Sequence, residues 1–441
     1  MKGIFIGIGL IFFYSSVSSQ LLKKVLRDEE KILGLSTFWS EAKYTFAHFD
    51  NVSQLNWDSA YQAFIPKVIA AKTAYEYGRV LQRFCALLKD GHSDILFGFG
   101  FYYDTLCSPP LHIKNIGHRA YITWVPDSLK KKVISGSEII AVDGKPVVKY
   151  LLEDVFPYIS ESTQESLWTS SISKMLVGIV DTKVTISFKK PNGESGNLTL
   201  ARNYKINRVR ELEGNDPAVH FKWLDNDIVY LKIVTFSNEK LLSQFTEQLP
   251  SLYKAKGIII DIRDNTGGND EYAAAVAEYF LNTDSIRGIK TLSRQHLGAY
   301  KAWARNYKEY QPYLENNAFV DLGNNDYEIN TTKKKILAPL VILTGTRTRS
   351  ASEDFIVMFD NAKRATLIGE TTGGTTGQPY FFKLTGTISA CLCSIKNTFP
   401  DGRKFVGLGI KPAIEVKETI QDFLSGRDVV LEKALEYLQK N

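Results

Sequence analysis

Apolar residues recur three or four positions apart over residues 35–96, which is the spacing of one buried helix face. Asp90 and Gly91 interrupt this pattern, because both residue types favour turns. The pattern therefore predicts a small N-terminal helical domain, residues 20–105. We expect His92 to lie on the turn that follows its last helix.

Short apolar runs typical of strands dominate residues 106–205. The predicted strands lie at residues 111–113, 120–124, 138–142, 184–188 and 198–200. The Asp143-Gly144 pair predicts a tight turn between two of them. We also expect a helical insertion over residues 150–177. The region resembles a PDZ domain, which binds extended peptide ends along a sheet edge. A β-rich spacer without a ligand is the alternative.

Strands and helices alternate in the last part of the chain, residues 206–441. The predicted elements are strands at 228–234, 257–262, 340–343 and 365–368, and helices at 239–249, 270–281 and 350–359. The run Ile258-Ile259-Ile260 is apolar on both faces, as buried parallel strands are. This alternation predicts an α/β domain, in which chemistry gathers where strand ends meet helix starts.

The first nineteen residues form a separate feature. Lys2 precedes an apolar run over residues 3–14, and small residues follow up to Ser19. This pattern predicts a signal peptide, residues 1–19, with cleavage after Ser19. The apolar run would give a helix of about 18 Å, short of a hydrocarbon core of roughly 30 Å. We therefore expect an exported chain, periplasmic or extracellular, without a stable membrane span. A retained signal anchor is the alternative.

Composition excludes several classes of protein. The chain has 441 residues, of which 44% are hydrophobic, so it can fill real cores and is not disordered. Lys and Arg total 54 against 48 Asp and Glu, giving a net charge of +6. No block of basic residues accompanies this mild excess, so nucleic acid is not predicted as a partner.

Four cysteines are too few to form the scaffold of so long a chain, although export would allow one or two disulfides. Cys391 and Cys393 would share one face of a strand, which resembles half of a soft-metal site. Since no other pair of cysteines or histidines lies near them in the sequence, we expect buried thiols. We predict no metal and no other cofactor.

Two turns of the α/β domain carry candidate chemistry. In the first, Gly267 and Gly268 follow a buried strand just before a helix, where backbone N–H groups can approach an oxyanion closely. A simple tight turn explains such a pair equally well. In the second turn, Ser350 and Glu353 fit the S-x-x-E capping box. Ser350 also fits a nucleophile at a helix start, with the Ala351 N–H directed at the oxyanion, and Ser352 is the second candidate.

Four segments in the same order resemble the S41 family of serine peptidases, the C-terminal processing and tricorn-like proteases. They are residues 256–268, residues 350–353, the phrase Ala365-Thr366-Leu367-Ile368-Gly369-Glu370-Thr371-Thr372-Gly373-Gly374, and Phe399-Pro400-Asp401-Gly402-Arg403 through Gly409-Ile410-Lys411-Pro412. The resemblance implies a crotonase-like α/β catalytic core after a helical and a PDZ-like domain. It also implies that Ser350 is the nucleophile.

The resemblance also bears on the general base. Processing proteases use a lysine about twenty-five residues after the serine, where this chain has Thr375, and residues 371–377 contain no lysine. Tricorn-like members use a histidine from the helical domain, and His92 occupies that place. An imidazole has an unperturbed pKa near 6.5 and accepts a hydroxyl proton readily. The resemblance therefore favours His92 as the base and the branch that lacks the lysine.

The residue that orients His92 is left open by the sequence. Tricorn-like sites have a serine before the histidine and a glutamate before the Gly-Ile-x-Pro phrase, but this chain has Gly91 and the acid-free run 405–409. Asp94 and Glu370 are the candidate orienting acids.

These observations predict an exported serine peptidase that acts on peptide or protein substrates through an acyl-enzyme on Ser350. A catalytically weak or inactive protein of the same fold that binds peptides or apolar ligands is the first alternative. The second alternative is an interaction protein in which the PDZ-like domain is the active part. The sequence leaves the oligomeric state open.

Overall fold

The computed structural model describes residue 22 and residues 24–98, 105–205, 217–330 and 332–440. The predicted signal peptide, residues 1–19, lies outside this part of the chain. No helix in the described part is both long and apolar enough to cross a bilayer.

Three helices form the N-terminal region, as predicted: α1 (Asp28–Thr45), α2 (Trp57–Ala70) and α3 (Ala74–Cys85). Short 3₁₀ helices follow α1 and α3, at Phe49–Val52 and Ala86–Leu88. The side chains of Asn56 and Thr73 cap α2 and α3 by accepting backbone N–H bonds. The chain then turns into strand β1 (Asp94–Leu96).

The helices of this region do not form a hydrophobic core by themselves. Phe38, Trp57 and Phe84 pack together with Leu384 and Leu392 in one buried cluster. The two leucines belong to strands β20 (Pro379–Thr385) and β21 (Ile388–Cys393), and β1 pairs with β21 in a three-stranded antiparallel sheet. The helical region therefore shares its core with strands from the end of the chain.

Residues 106–205 form a β-rich region built on an antiparallel sheet of order β3-β4-β5-β8-β9, with β6 paired to β5. Its strands are β2 (Leu106–Ser108), β3 (His112–Ile116), β4 (Arg119–Trp124), β5 (Glu138–Val142), β6 (Lys145–Pro146), β7 (Gly178–Ile179), β8 (Lys183–Lys189), β9 (Ser195–Ala201) and β10 (Tyr204–Lys205). Asp143 and Gly144 have φ of 48° and 79°, which confirms the predicted tight turn. Helix α5 (Gln164–Lys174) lies in the predicted helical insertion, residues 150–177, whereas α4 (Val147–Tyr150) ends where that segment begins.

A six-stranded sheet forms the centre of the last region, in the order β11-β12-β13-β18-β19-β23. These strands are β11 (Val219–Leu224), β12 (Ile228–Ile233), β13 (Gly257–Asp261), β18 (Leu340–Thr344), β19 (Thr366–Gly369) and β23 (Ile414–Glu415). All neighbours are parallel except β11 and β12. Apolar clusters cover both faces of the sheet, which is why the β13 run is apolar on both sides. The predicted mixed α/β architecture is confirmed.

The helices of this region are α6 (Leu241–Glu247), α7 (Leu249–Leu252), α8 (Asp270–Ala277), α9 (Gly298–Trp303), α10 (Gln311–Leu314), α11 (Ala351–Asn361), α12 (Ile420–Leu424) and α13 (Val429–Lys440). The stretch before β18, where the sequence analysis predicted no element, contains strands of its own. It holds β14 (Ser285–Ile286), β15 (Lys290–Arg294), β16 (Phe319–Asn324) and β17 (Tyr327–Glu328), and β15 lies between β16 and β22 (Ile395–Thr398).

Candidate active site

The structure brings His92 and Ser350 together, although 258 positions separate them in the chain. His92 Nε2 lies 3.2 Å from Ser350 Oγ. His92 lies on the turn between the helical region and β1, and Ser350 lies in the loop between β18 and α11. An imidazole nitrogen and a hydroxyl at this distance can exchange a proton.

Ser350 has a strained backbone. Its φ of 55° and ψ of −131° lie in a region that residues with a side chain rarely adopt. Three backbone bonds hold it there. Ser350 N donates to the Thr375 carbonyl at 2.8 Å, and the Ser350 carbonyl accepts from Glu353 N at 2.7 Å and from Asp354 N at 3.1 Å. Strain of about 1–3 kcal/mol is typical at functional sites, where the surrounding structure fixes the residue.

The interpretation of Ser350 and Glu353 as a capping box is wrong. The Ser350 side chain makes no capping bond to α11. The buried Glu353 carboxylate instead accepts bonds from Thr372 Oγ1, from Gly374 N at 2.8 Å and from Thr375 N at 2.8 Å. Glu353 therefore fixes the loop opposite Ser350, because tertiary hydrogen bonds replace the local cap. Ser352, the second candidate nucleophile, is fully buried, and its Oγ has no hydrogen-bond partner among the residues that the structure describes.

Thr375 takes the place where an orienting acid was expected. Its Oγ1 lies 2.9 Å from His92 Nδ1. Among the contacts of the described residues, neither Asp94 nor Glu370 bonds to His92. The Asp94 carboxylate accepts from the N–H of Ile95 at 2.7 Å, and Glu370 lies beyond the end of β19. The Nδ1 partner of His92 is thus a neutral hydroxyl.

Gly91 makes this arrangement possible. A Cβ added to Gly91 would lie 2.8 Å from Thr375 Oγ1 and 3.2 Å from Thr375 Cβ. The absence of a side chain therefore lets Thr375 reach His92. This contact explains why glycine stands at the position where the tricorn-like pattern has serine.

The electrostatic environment keeps His92 neutral. Removal of the imidazole from water lowers the pKa of His92 to about 4, and the positive charge of Arg349 acts in the same direction. At neutral pH the imidazole therefore has a free nitrogen that can accept a proton. Burial also raises the pKa of Glu353 to about 7, while the hydrogen bonds from Thr372, Gly374 and Thr375 oppose that rise.

Two of the three predicted oxyanion donors are free. Gly267 packs against Ser350, since a Cβ there would lie 2.6 Å from Ser350 Cβ. Its N–H, however, donates to Asn265 Oδ1 at 2.9 Å and is occupied. The N–H groups of Ala351 and Gly268 donate no hydrogen bond within the described residues. The Gly267 carbonyl is held by Phe236 N, so the Gly268 N–H points to the opposite side of that peptide.

A segment of the β-rich region contacts both the turn that carries His92 and the loop that carries Ser350, and sequence analysis did not predict these contacts. Ser160 Oγ and Ser162 Oγ accept the N–H groups of Asp90 and Gly91, at 3.2 and 3.0 Å. Between the two serines, Glu161 pairs with Arg349, the residue before Ser350. These contacts join positions about 70 and 190 residues apart in the chain, which local patterns cannot reveal.

The four cysteine side chains are buried, and none of them forms a disulfide. The thiol of Cys391 donates to the His92 carbonyl at 3.5 Å, and Cys393 Sγ lies 3.3 Å from the Ile395 carbonyl. The disulfides that export would allow are therefore absent from the structure. The expectation of buried thiols is confirmed.

The chain is similar in sequence to known peptidases. Residues 227–416 match the model of Peptidase family S41. A carboxy-terminal-processing protease of Bartonella bacilliformis is 26% identical over 220 residues, which cover 48% of this chain and 44% of that protein. The carboxy-terminal processing protease CtpA of Bacillus subtilis is 26% identical over 208 residues, 47% of this chain and 38% of that protein. The chain thus matches less than half of the length of either relative.

The fold is shared with a solved structure. The crystal structure of mature CPAF superposes with a TM-score of 0.71 at 14% identity, covering 94% of this chain and 96% of that one. At this identity the likeness shows the fold alone. Together the comparisons support the S41 peptidase family and point to a serine-type peptidase, a hydrolase.

Proposed function

We propose that the chain is an exported serine peptidase that hydrolyses peptide bonds through an acyl-enzyme on Ser350. The observation that carries the proposal is the 3.2 Å separation of His92 Nε2 from Ser350 Oγ. A neutral imidazole at this distance can take the hydroxyl proton while Oγ attacks the scissile carbonyl. The same imidazole then donates that proton to the leaving amine, and water releases the acyl group by the reverse sequence.

Thr375 sets the tautomer of the base. Nδ1–H of His92 donates to Thr375 Oγ1, which leaves Nε2 free to accept the proton of Ser350. A hydroxyl stabilises the imidazolium less than a carboxylate does. In other serine peptidases, loss of the carboxylate that orients the histidine lowers turnover by about 10⁴. We therefore expect slow turnover from this chain, which we place in the branch that lacks the catalytic lysine.

The oxyanion of the tetrahedral intermediate is held by the N–H groups of Ala351 and Gly268. Both are free within the described residues, and Ala351 begins α11, whose dipole favours negative charge. One such donor contributes about 3–4 kcal/mol to transition-state binding. No metal or organic group takes part in these steps.

The β-rich region, residues 106–205, serves as a PDZ-like module that captures peptide substrate, beside a crotonase-like catalytic core. Trp124 and Ile134, each 40% exposed, line a cavity on its surface together with Lys130. An apolar side chain of an extended peptide fits against the two exposed residues. Export rests on the pattern of residues 1–19, and peptides or proteins are the substrates.

Hydrolysis of a fluorescence-quenched peptide library tests the proposal. The wild-type chain should cleave library members, whereas Ser350→Ala and His92→Ala should not, with near-ultraviolet circular dichroism confirming that each variant is folded. Ser352→Ala is the matched control and should retain activity if it folds. A folded wild-type chain that cleaves nothing, yet binds peptides or apolar ligands, would establish the binding-module alternative.

A further inference from the structure

Three buried side chains with metal-ligating atoms converge beneath the turn that carries His92. His48, Asp90 and Cys393 each place a ligand atom within 4.8 Å of the other two. They are 2%, 1% and 0% exposed. His48 follows α1, Asp90 precedes β1 and Cys393 ends β21, so only the folded chain assembles them.

Two atoms of this cluster lack hydrogen-bond partners. Among the described residues, neither His48 Nε2 nor Asp90 Oδ1 has one. An unsatisfied buried polar atom costs about 1–3 kcal/mol, so native structures almost always provide a partner. Both orphaned atoms are electron-pair donors when the imidazole and the carboxyl are unprotonated there, and a cation satisfies both.

The remaining atoms of the cluster are already oriented. Ser93 Oγ donates to Asp90 Oδ2 at 2.6 Å and accepts the N–H of Cys393 at 3.3 Å, so one hydroxyl positions two of the three residues. The Ile395 carbonyl lies beside the His48 imidazole as its hydrogen-bond acceptor. Metal ligands in proteins are held by this kind of second layer of hydrogen bonds.

One nitrogen, one oxygen and one sulfur ligand suit Zn²⁺, which binds all three donor types. Bonds of about 2.0–2.3 Å in tetrahedral geometry place ligand atoms roughly 3.5 Å apart. The three ligand atoms therefore need to approach one another by only about 1 Å. The two anionic ligands, Asp90 and Cys393 as thiolate, cancel the charge of the ion in a site that is buried away from bulk solvent.

We propose that His48 Nε2, Asp90 Oδ1 and Cys393 Sγ bind a zinc ion that fixes the turn carrying His92. A water molecule supplies the fourth ligand. When the ion binds, the S–H bond of Cys393 breaks, a Zn–S bond forms and the proton passes to solvent. The sequence predicted no metal, because neither His48 nor Asp90 lies near Cys393 along the chain. The fold supplies both.

Metal titration of the purified chain, reduced and freed of metal with a chelator, tests the proposal. We expect one zinc ion per chain by elemental analysis, an upward shift of Tm on adding zinc, and a thiolate-to-metal absorption band when Co²⁺ replaces it. Cys393→Ser should lose the cobalt band and bind zinc at least roughly 100-fold more weakly, since loss of a ligand exceeds the loss of a supporting residue. His48→Asn should likewise lose the Tm shift.

The matched control is Cys391→Ser, two positions away on the same strand, which should keep the zinc and the cobalt band. If Cys393→Ser does not fold, the wild-type chain still decides the matter, because zinc should slow alkylation of Cys393 more than that of Cys391. A folded wild-type chain without stoichiometric zinc overturns the proposal, and so does a cobalt spectrum without a thiolate band. Either result would mean that a buried water satisfies the orphaned atoms.

Discussion

Glu161 and Arg349 form a buried ion pair that ties the β-rich region to the residue before the nucleophile. Arg349 Nη1 lies 3.0 Å from Glu161 Oε1, and the two side chains are 16% and 5% exposed. Ser160 and Ser162, on either side of Glu161, bind the backbone of the turn that carries His92. One short segment therefore sets the relative position of the base and the nucleophile.

Glu161→Gln should lower kcat at least about tenfold, equivalent to 1.4 kcal/mol, with little change in KM. The substitution leaves the Arg349 guanidinium without its counter-ion in a largely buried place, and the strained loop before Ser350 loses its anchor. Steady-state kinetics on a cleaved library peptide measure the effect. Glu165→Gln is the control, because Glu165 is exposed and pairs with His118 away from the site. Equal kcat in both variants would exclude a positioning role for the ion pair.

Thr375→Val should reduce kcat roughly tenfold to hundredfold while KM stays nearly constant. Valine keeps the shape of threonine but cannot accept from His92 Nδ1, so the imidazole loses its fixed tautomer. The loss should remain below the about 10⁴ that follows removal of an orienting carboxylate. Thr375→Ser restores the hydroxyl and should recover most of the rate. Wild-type kcat in the valine variant would show that another group orients the base.

Gly91→Ala should abolish most activity although it adds one methyl group. The new Cβ would lie 2.8 Å from Thr375 Oγ1, and Thr375 cannot retreat without breaking its bond to His92. Gly298→Ala is the control, because nothing lies within 4 Å of a Cβ added there. Activity assays and thermal melts of both variants separate a displaced base from an unfolded chain. Unchanged kcat in Gly91→Ala would contradict the packing described.

Glu353→Gln should change how stability depends on pH. Burial raises the pKa of Glu353 from 4.5 to about 7 in the folded chain, so the folded state keeps a proton that the unfolded state has lost. The free energy of unfolding contributed by this group therefore falls as the pH rises from 4.5 to about 7. Glutamine does not titrate, so the fall should be smaller in the variant when urea unfolding is compared across that range.

The control for this comparison is Glu239→Gln, which changes an exposed carboxylate far along the chain from the site. It should leave the pH dependence as in the wild type. Parallel pH profiles for Glu353→Gln and the wild type would mean that the Glu353 carboxyl does not carry the shifted proton.

Local pattern was sufficient for the elements that lie in a single stretch of chain. Strand β13, with apolar residues on both faces, and the Asp143-Gly144 turn lie at the predicted positions. Each of these elements is determined by its own residues. The meeting of His92 with Ser350 was expected only through resemblance to a family, since no periodicity links positions so far apart.

The parts that sequence reasoning missed depend on tertiary contacts. Glu353 fitted a helix cap, but burial against the 372–375 loop gives its carboxylate stronger partners than the cap offers. Thr375 was noted only as the position without a lysine, and its approach to His92 depends on the space left by Gly91. The core shared by the helical region and β20–β21 likewise joins opposite ends of the chain.

Covalent labelling with a fluorophosphonate probe, mapped by peptide mass spectrometry, tests the central claim most directly. The account predicts a single modified residue, Ser350, with labelling lost in Ser350→Ala, strongly slowed in His92→Ala and retained in Ser352→Ala. Labelling of a different residue, or none at all in a chain shown to be folded, would contradict it.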